Sequence, residues 1–260
     1  MKKKLREEID SFQGLWPGGF CRSKMGWNAA VLHERRSGTL DLLGLVDKCI
    51  APYIIPNETL ALEIGTDGGF WAAKIAEFGP KAIIGADIRP DSETNFSRNM
   101  RNWSSTKDRW DRLYYLWMDD FTLSALLDDT VDYVFSFDVF CHISFTGTKE
   151  YLKNLYPKLK TGANLFIMIA DGDKYTDERG RRNCIEGEGN VRRPGMYEDW
   201  EAVLADYDGD PEPGRWYFYG LERFVSAARS YGYTIIEEDA CKTICKYSPV
   251  VHLRKEAVGG

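Results

Sequence analysis

The 260-residue sequence predicts an α/β protein: a doubly wound, seven-stranded, mostly parallel sheet with one antiparallel strand and helices on both faces. Three observations predict it. Short, nearly continuous apolar runs alternate with stretches of helical periodicity, as expected of strands buried on both faces. The run ALEI breaks into a turn crowded with Gly65, Gly68 and Gly69, then resumes at helical spacing with Phe70, Ala73, Ile75, Ala76 and Phe78. The last two apolar runs, YTIIEED and SPVVHLRK, are joined by a linker too short for a crossover helix, so they read as antiparallel neighbours.

The elements follow in order. Residues 1–38, carrying GLWPGGF and KMGW, read as an irregular N-terminal arm or cap, and 39–260 as the sheet domain with a substrate-side insertion at 172–218. Thr39 to Pro52 has Leu40, Leu43 and Val46 on one helical face. ETLALEI is the first strand, and the helix opened by Gly69 stops at Gly79-Pro80. KAIIGADI is the second strand; Phe96, Met100 and Trp103 mark the helix after Pro90. RLYYLWMDD is the third strand and VDYVFSFDVF the fourth. Tyr151, Leu152, Leu155 and Leu159 give a helix ending at Gly162, before ANLFIMIAD as the fifth strand. Within the insertion only Met196 to Tyr207 reads as helical, and Leu221, Phe224, Val225 and Ala228 mark the last helix.

Composition narrows the function. A net charge of −6 disfavours a generic nucleic-acid surface. No apolar run reaches the ~18 residues of a membrane span, and MKKKLREEID lacks the apolar core of a secretory signal, so a cytoplasmic protein is expected. The six cysteines (21, 49, 141, 184, 241, 245) are irregularly spaced and read as reduced thiols. CKTIC lacks a second ligand pair, so no structural zinc is expected.

In doubly wound sheets the first strand-to-helix turn is a usual ligand site. A dinucleotide fingerprint needs glycines at 65, 67 and 70, but Asp67 and Phe70 occupy two of these positions. Glu63 and Asp67 would also receive a diphosphate poorly. The turn suits a ligand without phosphate that carries positive charge.

On EIGTDGG the chain resembles the class I, Rossmann-like S-adenosylmethionine-dependent methyltransferases over roughly residues 58–255. Glu63, Gly65 and Gly69 match the first motif; Asp67 replaces its middle glycine, and Thr66 lies between them. The resemblance implies three more cofactor contacts. Asp87, 18 residues after Gly69, would accept from the ribose hydroxyls. Asp119 or Asp120 in WMDDF would meet the adenine, and Phe137 would stand at the mouth beside Asp138. Plainer roles stand beside these: Glu63 fixing the turn, one of Asp119 and Asp120 as an N-cap, and His142 as a hydrogen-bonded helix-end residue.

Methyl transfer is an in-line displacement, so alignment dominates, and a hydroxyl acceptor also needs a base. His142 is the candidate base, with Asp138 orienting it or binding substrate. Asp171, Arg181, Arg182 and Trp216 are the candidate substrate contacts, drawn from the fifth strand's end and an arginine- and aromatic-rich insertion. Asp138, Asp171 and Asp173 could together hold Mg²⁺, but acids at strand ends are common and no metal is expected. The reading is O-methylation of a small-molecule or sugar/glycan acceptor. N-methylation of a small molecule and a non-catalytic adenosylmethionine-binding protein are the alternatives, with homo-oligomerisation open.

Overall fold

The computed structural model describes residues 3–12, 26–172, 174, 205–211 and 214–257. Seven strands, β1 (Leu60–Ile64), β2 (Ala82–Asp87), β3 (Leu113–Trp117), β4 (Val131–Ser136), β5 (Leu159–Met168), β6 (Tyr233–Glu237) and β7 (Val250–Lys255), form one sheet. Their order is β3-β2-β1-β4-β5-β7-β6. β1 runs parallel to β2 and β4, β2 to β3, and β4 to β5, while β7 lies antiparallel to β5 and β6. The chain steps outward from β1 to β3 and then returns to place β4 against β1. The carboxyl ends of β1 and β4 therefore flank the reversal point, where ligands bind in such sheets.

Alternation along the central strands feeds two cores. Ala61, Tyr133, Phe135, Phe166 and Met168 enter one; Leu62, Ile64, Val134, Leu165 and Ile167 enter the other. That two-sided burial is why these strands read as continuous apolar runs. The α-helices among the described residues are α1 (Lys3–Asp10), α2 (Trp27–Ser37), α3 (Leu42–Leu45), α4 (Phe70–Ala76), α5 (Asp91–Thr94), α6 (Phe96–Asn102), α7 (Phe145–Leu155) and α8 (Gly220–Ser230). In α4 only Lys74 escapes full burial, because the helix is enclosed by the sheet, α6 and the Trp27 ring.

Several expectations change in detail. Where an irregular arm is expected, α1 and α2 are helical. Leu5, Glu8 and Ile9 lie on one face of α1 and are buried, a periodicity too short to stand out beside the glycine-rich stretch that follows. The helix expected from Thr39 begins only at Leu42, capped by Asp41, whose Oδ1 accepts from Leu43 N at 3.2 Å. It then widens into a π turn (Val46–Ile50) and tightens into a 3₁₀ turn (Ala51–Tyr53) as Pro52 ends it. The helix expected to reach Gly162 stops earlier: Tyr156–Lys158 is a 3₁₀ turn and β5 has already begun at Leu159. Gly162, at φ +87°, sits in a bulge where the β4–β5 register slips, from Val131 opposite Leu159 to Tyr133 opposite Asn164.

The helix expected over Met196 to Tyr207 lies mostly outside the described residues, as do GLWPGGF, Cys21 and Cys184. The other four cysteines are free thiols. Cys49 and Cys241 lie with Sγ atoms 3.3 Å apart in a buried thiol hydrogen bond. No helix among the described residues is long and apolar enough to cross a membrane.

Candidate active site

The glycine turn leaves β1 under backbone control: Gly65 N and Thr66 N both donate to Ala86 O on the neighbouring strand, at 2.7 and 3.1 Å. Gly65 (φ +74°) and Gly69 (φ +87°) occupy left-handed conformations that glycine adopts without strain. Both are also closely packed. A Cβ on Gly65 would strike Val139, with Cγ1 at 2.7 Å, and one on Gly69 would strike Met100 and Phe96. Gly85 on β2 has the same constraint, since a Cβ there would meet Thr66 Oγ1 at 2.8 Å. Each glycine therefore serves the protein's own packing.

Glu63 turns inward. Its Oε2 accepts from Thr66 Oγ1 at 2.7 Å and the carboxyl is also bonded by the backbone of Ala72, so it braces the turn from beneath. Burial pushes the Glu63 carboxyl well above its ordinary pKa, with Asp67 and Asp87 adding to the rise against the lowering hydrogen bonds.

Asp87 ends β2, its side chain 5% exposed. Its Oδ1 accepts from Arg89 N at 2.9 Å and Arg89 Nε at 3.3 Å, and its Oδ2 accepts from Asp67 N at 2.9 Å. Asp67 has φ +48°, and its Oδ1 accepts from Arg89 Nη2 at 2.6 Å. Desolvation opposes the charge on Arg89, but Asp87 and Asp67 more than offset it and raise its pKa. The Tyr115 hydroxyl donates to Arg89 O and fixes the backbone below.

Beyond β3, Asp119 is exposed, and its carbonyl accepts from Arg6 Nη1 of α1 at 3.2 Å. Asp120 closes a local turn, its Oδ1 accepting from Thr122 N at 2.8 Å and Thr122 Oγ1 at 2.7 Å. The structure thus separates this pair into a turn cap and an exposed carboxylate.

Past β4, Phe137 is buried against Trp71 and stacks on Phe135. Asp138, at φ +59°, accepts from the Tyr247 hydroxyl at 3.2 Å. His142 closes the 3₁₀ turn Phe140–His142 and is buried, with Phe12 and Trp216 against its ring edge-on at 6.1 and 5.6 Å. Its Nδ1 lies 2.9 Å from Arg215 O. A carbonyl only accepts, so Nδ1 carries the proton and Nε2 holds the basic lone pair.

Asp171 is half-buried beyond β5, facing the Gly220 turn that opens α8. Trp216 is buried and serves as a wall behind His142. Arg181, Arg182 and Asp173 lie outside the described residues, and no group of three or more His, Cys, Asp or Glu among the described residues is placed to hold a metal ion.

Sequence reasoning missed Arg89, Val139, Glu8 and Tyr247. Glu8 accepts from both the backbone N–H and the hydroxyl of Ser144, the N-cap of α7 and only two residues beyond His142. The one available signal was the alternation in Asp87-Ile88-Arg89, which puts acid and arginine on the same side of an extended chain. A cleft of about 430 Å³ between Pro56, Gly79, Arg109 and Arg112 lies at the opposite, amino edge of the sheet, away from every strand-tip acid.

The donor set fits S-adenosylmethionine: Asp87 ends β2 with an acceptor-only carboxylate, and Asp67 and Asp87 outnumber Arg89 at the turn, a balance that suits a cation better than a diphosphate. A family model described as a methyltransferase domain matches residues 40–238, and the chain belongs to that family. It is an S-adenosylmethionine-dependent methyltransferase with the Rossmann-like fold of class I enzymes. No curated protein matches it.

Among solved structures, it is similar to the complex of the Haloferax volcanii Trm112 methyltransferase activator with a methyltransferase. That match has 14% identity and a TM-score of 0.56, covering 98% of this chain and 99% of that one. It is also similar to a methyltransferase of Methanosarcina mazei, at 13% identity and a TM-score of 0.54 over 79% and 95% of the two chains. Against the Haemonchus contortus phosphoethanolamine N-methyltransferase 2 it covers 81% of itself and only 39% of that chain, at 19% identity and a TM-score of 0.46.

Proposed function

We propose that the protein methylates a hydroxyl of a small-molecule or sugar/glycan acceptor, with His142 as the general base. The observation that carries this reading is the 2.9 Å contact of His142 Nδ1 with the Arg215 carbonyl. The histidine Nδ1–H is committed to that carbonyl, which orients the ring and leaves Nε2 as the proton-accepting atom. An amine acceptor would need less assistance from such a group.

S-adenosylmethionine supplies an electrophilic methyl on a positively charged sulfur. The chain's residues do the rest. Asp87 would hold the ribose, Asp119 would offer an acceptor to the adenine amine, and the turn from Gly65 through Thr66 and Asp67 to Gly69, braced by Glu63, would receive the methionine end. Phe137 and Trp71 close the apolar side and help exclude water. Nε2 of His142 would take the proton of the acceptor hydroxyl, whose oxygen gains the methyl as the methyl–sulfur bond breaks and the neutral thioether leaves. Asp138 and Asp171, at the ends of β4 and β5, would bind acceptor hydroxyls, with Trp216 as a wall, and Arg181 and Arg182 of the insertion would complete the contacts.

The test is transfer of a labelled methyl group from S-adenosylmethionine to fractionated cell extract. Label in the small-molecule or glycan fraction supports the reading, and label confined to protein, RNA or amine products overturns it. Replacing His142 by Ala with turnover unchanged would remove the base.

A further inference from the structure

In the first motif of this family a glycine stands where this chain has Asp67. We propose that Arg89 and Asp67 act as a paired replacement for that glycine, the guanidinium neutralising a carboxylate that would otherwise face Asp87 where the cofactor's ribose binds. The proposal rests on the reading that S-adenosylmethionine binds at this turn.

Asp67 adopts φ +48°, a left-handed conformation that glycine reaches freely and that aspartate reaches at a small cost. The hydrogen bonds form a closed ring: Asp67 N donates to Asp87 Oδ2, Arg89 Nε donates to Asp87 Oδ1, and Arg89 Nη2 donates to Asp67 Oδ1. Side-chain exposure around the ring is 15% for Asp67, 5% for Asp87 and 5% for Arg89, so these ion pairs are largely shielded from water and salt. Arg89 is itself anchored from below by Tyr115. The Asp67 carboxylate therefore has the guanidinium as its counter-charge, while Asp87 is held as well by the backbone N–H groups of Arg89 and Asp67.

The ring also limits what Asp87 can accept. An ionised carboxylate offers about four lone-pair sites. Arg89 N and Nε occupy Oδ1, and Asp67 N occupies one site on Oδ2. One site on Oδ2 remains for a ribose hydroxyl. The bond most easily given up to a second hydroxyl is the longest, from Arg89 Nε at 3.3 Å. Loss of Arg89 would leave Asp67 and Asp87 facing each other as like charges.

Pairing predicts suppression. Arg89→Met should weaken binding of S-adenosylhomocysteine, measured by calorimetry, at least about 10-fold, the size expected for losing a charge-assisted hydrogen bond. Adding Asp67→Gly to Arg89→Met restores the family's glycine and removes the stranded carboxylate, so affinity should return to within about 3-fold of wild type. Asp67→Gly cannot replace packing lost with the arginine, so a purely structural Arg89 would show no such recovery. Melting temperature and circular dichroism on each variant read folding separately.

Arg89→Met that binds as tightly as wild type, or a double variant that binds no tighter than Arg89→Met, overturns the proposal. If Arg89→Met does not fold, the double variant alone decides, by binding within about 3-fold of wild type or failing to. A wild type that binds neither S-adenosylhomocysteine nor S-adenosylmethionine overturns the cofactor reading as well, so the two failures are distinguishable.

Discussion

At the carboxyl ends of β1 and β2, three charged side chains within 22 residues of one another tie a turn into place through ion pairs. At the ends of β4 and β5, the candidate base is held by parts far away in sequence: Arg215 supplies a carbonyl, Phe12 and Trp216 supply rings, and Glu8 grips Ser144 beside it. One half is a local, shielded electrostatic unit. The other is an assembly of segments from outside the sheet. A conserved ligand and a variable one call for such a division, because a preorganised cofactor site is left undisturbed when the acceptor side is rebuilt.

The largest effect that could break this division is at Asp87. Asp87→Asn should reduce cofactor affinity about 100-fold, since an amide cannot accept at both former oxygens and leaves Arg89 partly unpaired. Calorimetric titration checks it, and unchanged affinity would unseat Asp87 from the ribose. Next is His142→Ala, expected to lower kcat about 10²- to 10³-fold while leaving the cofactor dissociation constant within about twofold. Equal loss in both quantities would mean that the two halves are not separable.

Glu8→Ala tests whether α1 belongs to the acceptor half. It leaves the Ser144 backbone N–H buried without its acceptor, so stability should fall by about 1–3 kcal/mol in urea unfolding. Turnover should drop more than cofactor affinity.

The smallest expected effects concern pH. Burial lowers the His252 pKa to about 4 in the folded chain, where the ring stacks on Phe166 and its Nε2 pairs with Asn164 Oδ1. A depressed native value gives stability that is complete above the ordinary histidine range, near 6.5, and lost as pH falls through 4. Glu63 has the opposite sign: its raised native value gives stability that is present below the ordinary carboxylate range and lost as pH rises through the native value. Melting temperatures of His252→Gln and Glu63→Gln across pH 4.5 to 7.5 should each flatten the slope on its own side. A slope unaffected by either change would locate the linkage elsewhere.

The sheet was legible because its central strands are buried on both faces and its strand-tip acids Glu63 and Asp87 stand two residues from glycines. Phe135, Phe166 and Ile167 could hardly lie anywhere but a core. What escaped was every contact made across long sequence distance. Arg89 in isolation reads as a solvated charge, although it is buried between two acids. Glu8 sits in a charge-rich N-terminal run and shows its importance only when Ser144, 136 residues away, comes beside it. The tautomer of His142 is set by a carbonyl 73 residues on, and a carbonyl has no signature in a sequence at all.

Val139 fills the space that a side chain at residue 65 would need, and it is also the residue whose carbonyl accepts from His142 N at 2.8 Å. In the proposed mechanism the donor's seat and the proton acceptor's seat would therefore share one residue: its side chain packs on the first loop and its carbonyl holds the turn that carries the imidazole, so Val139→Ala would loosen both.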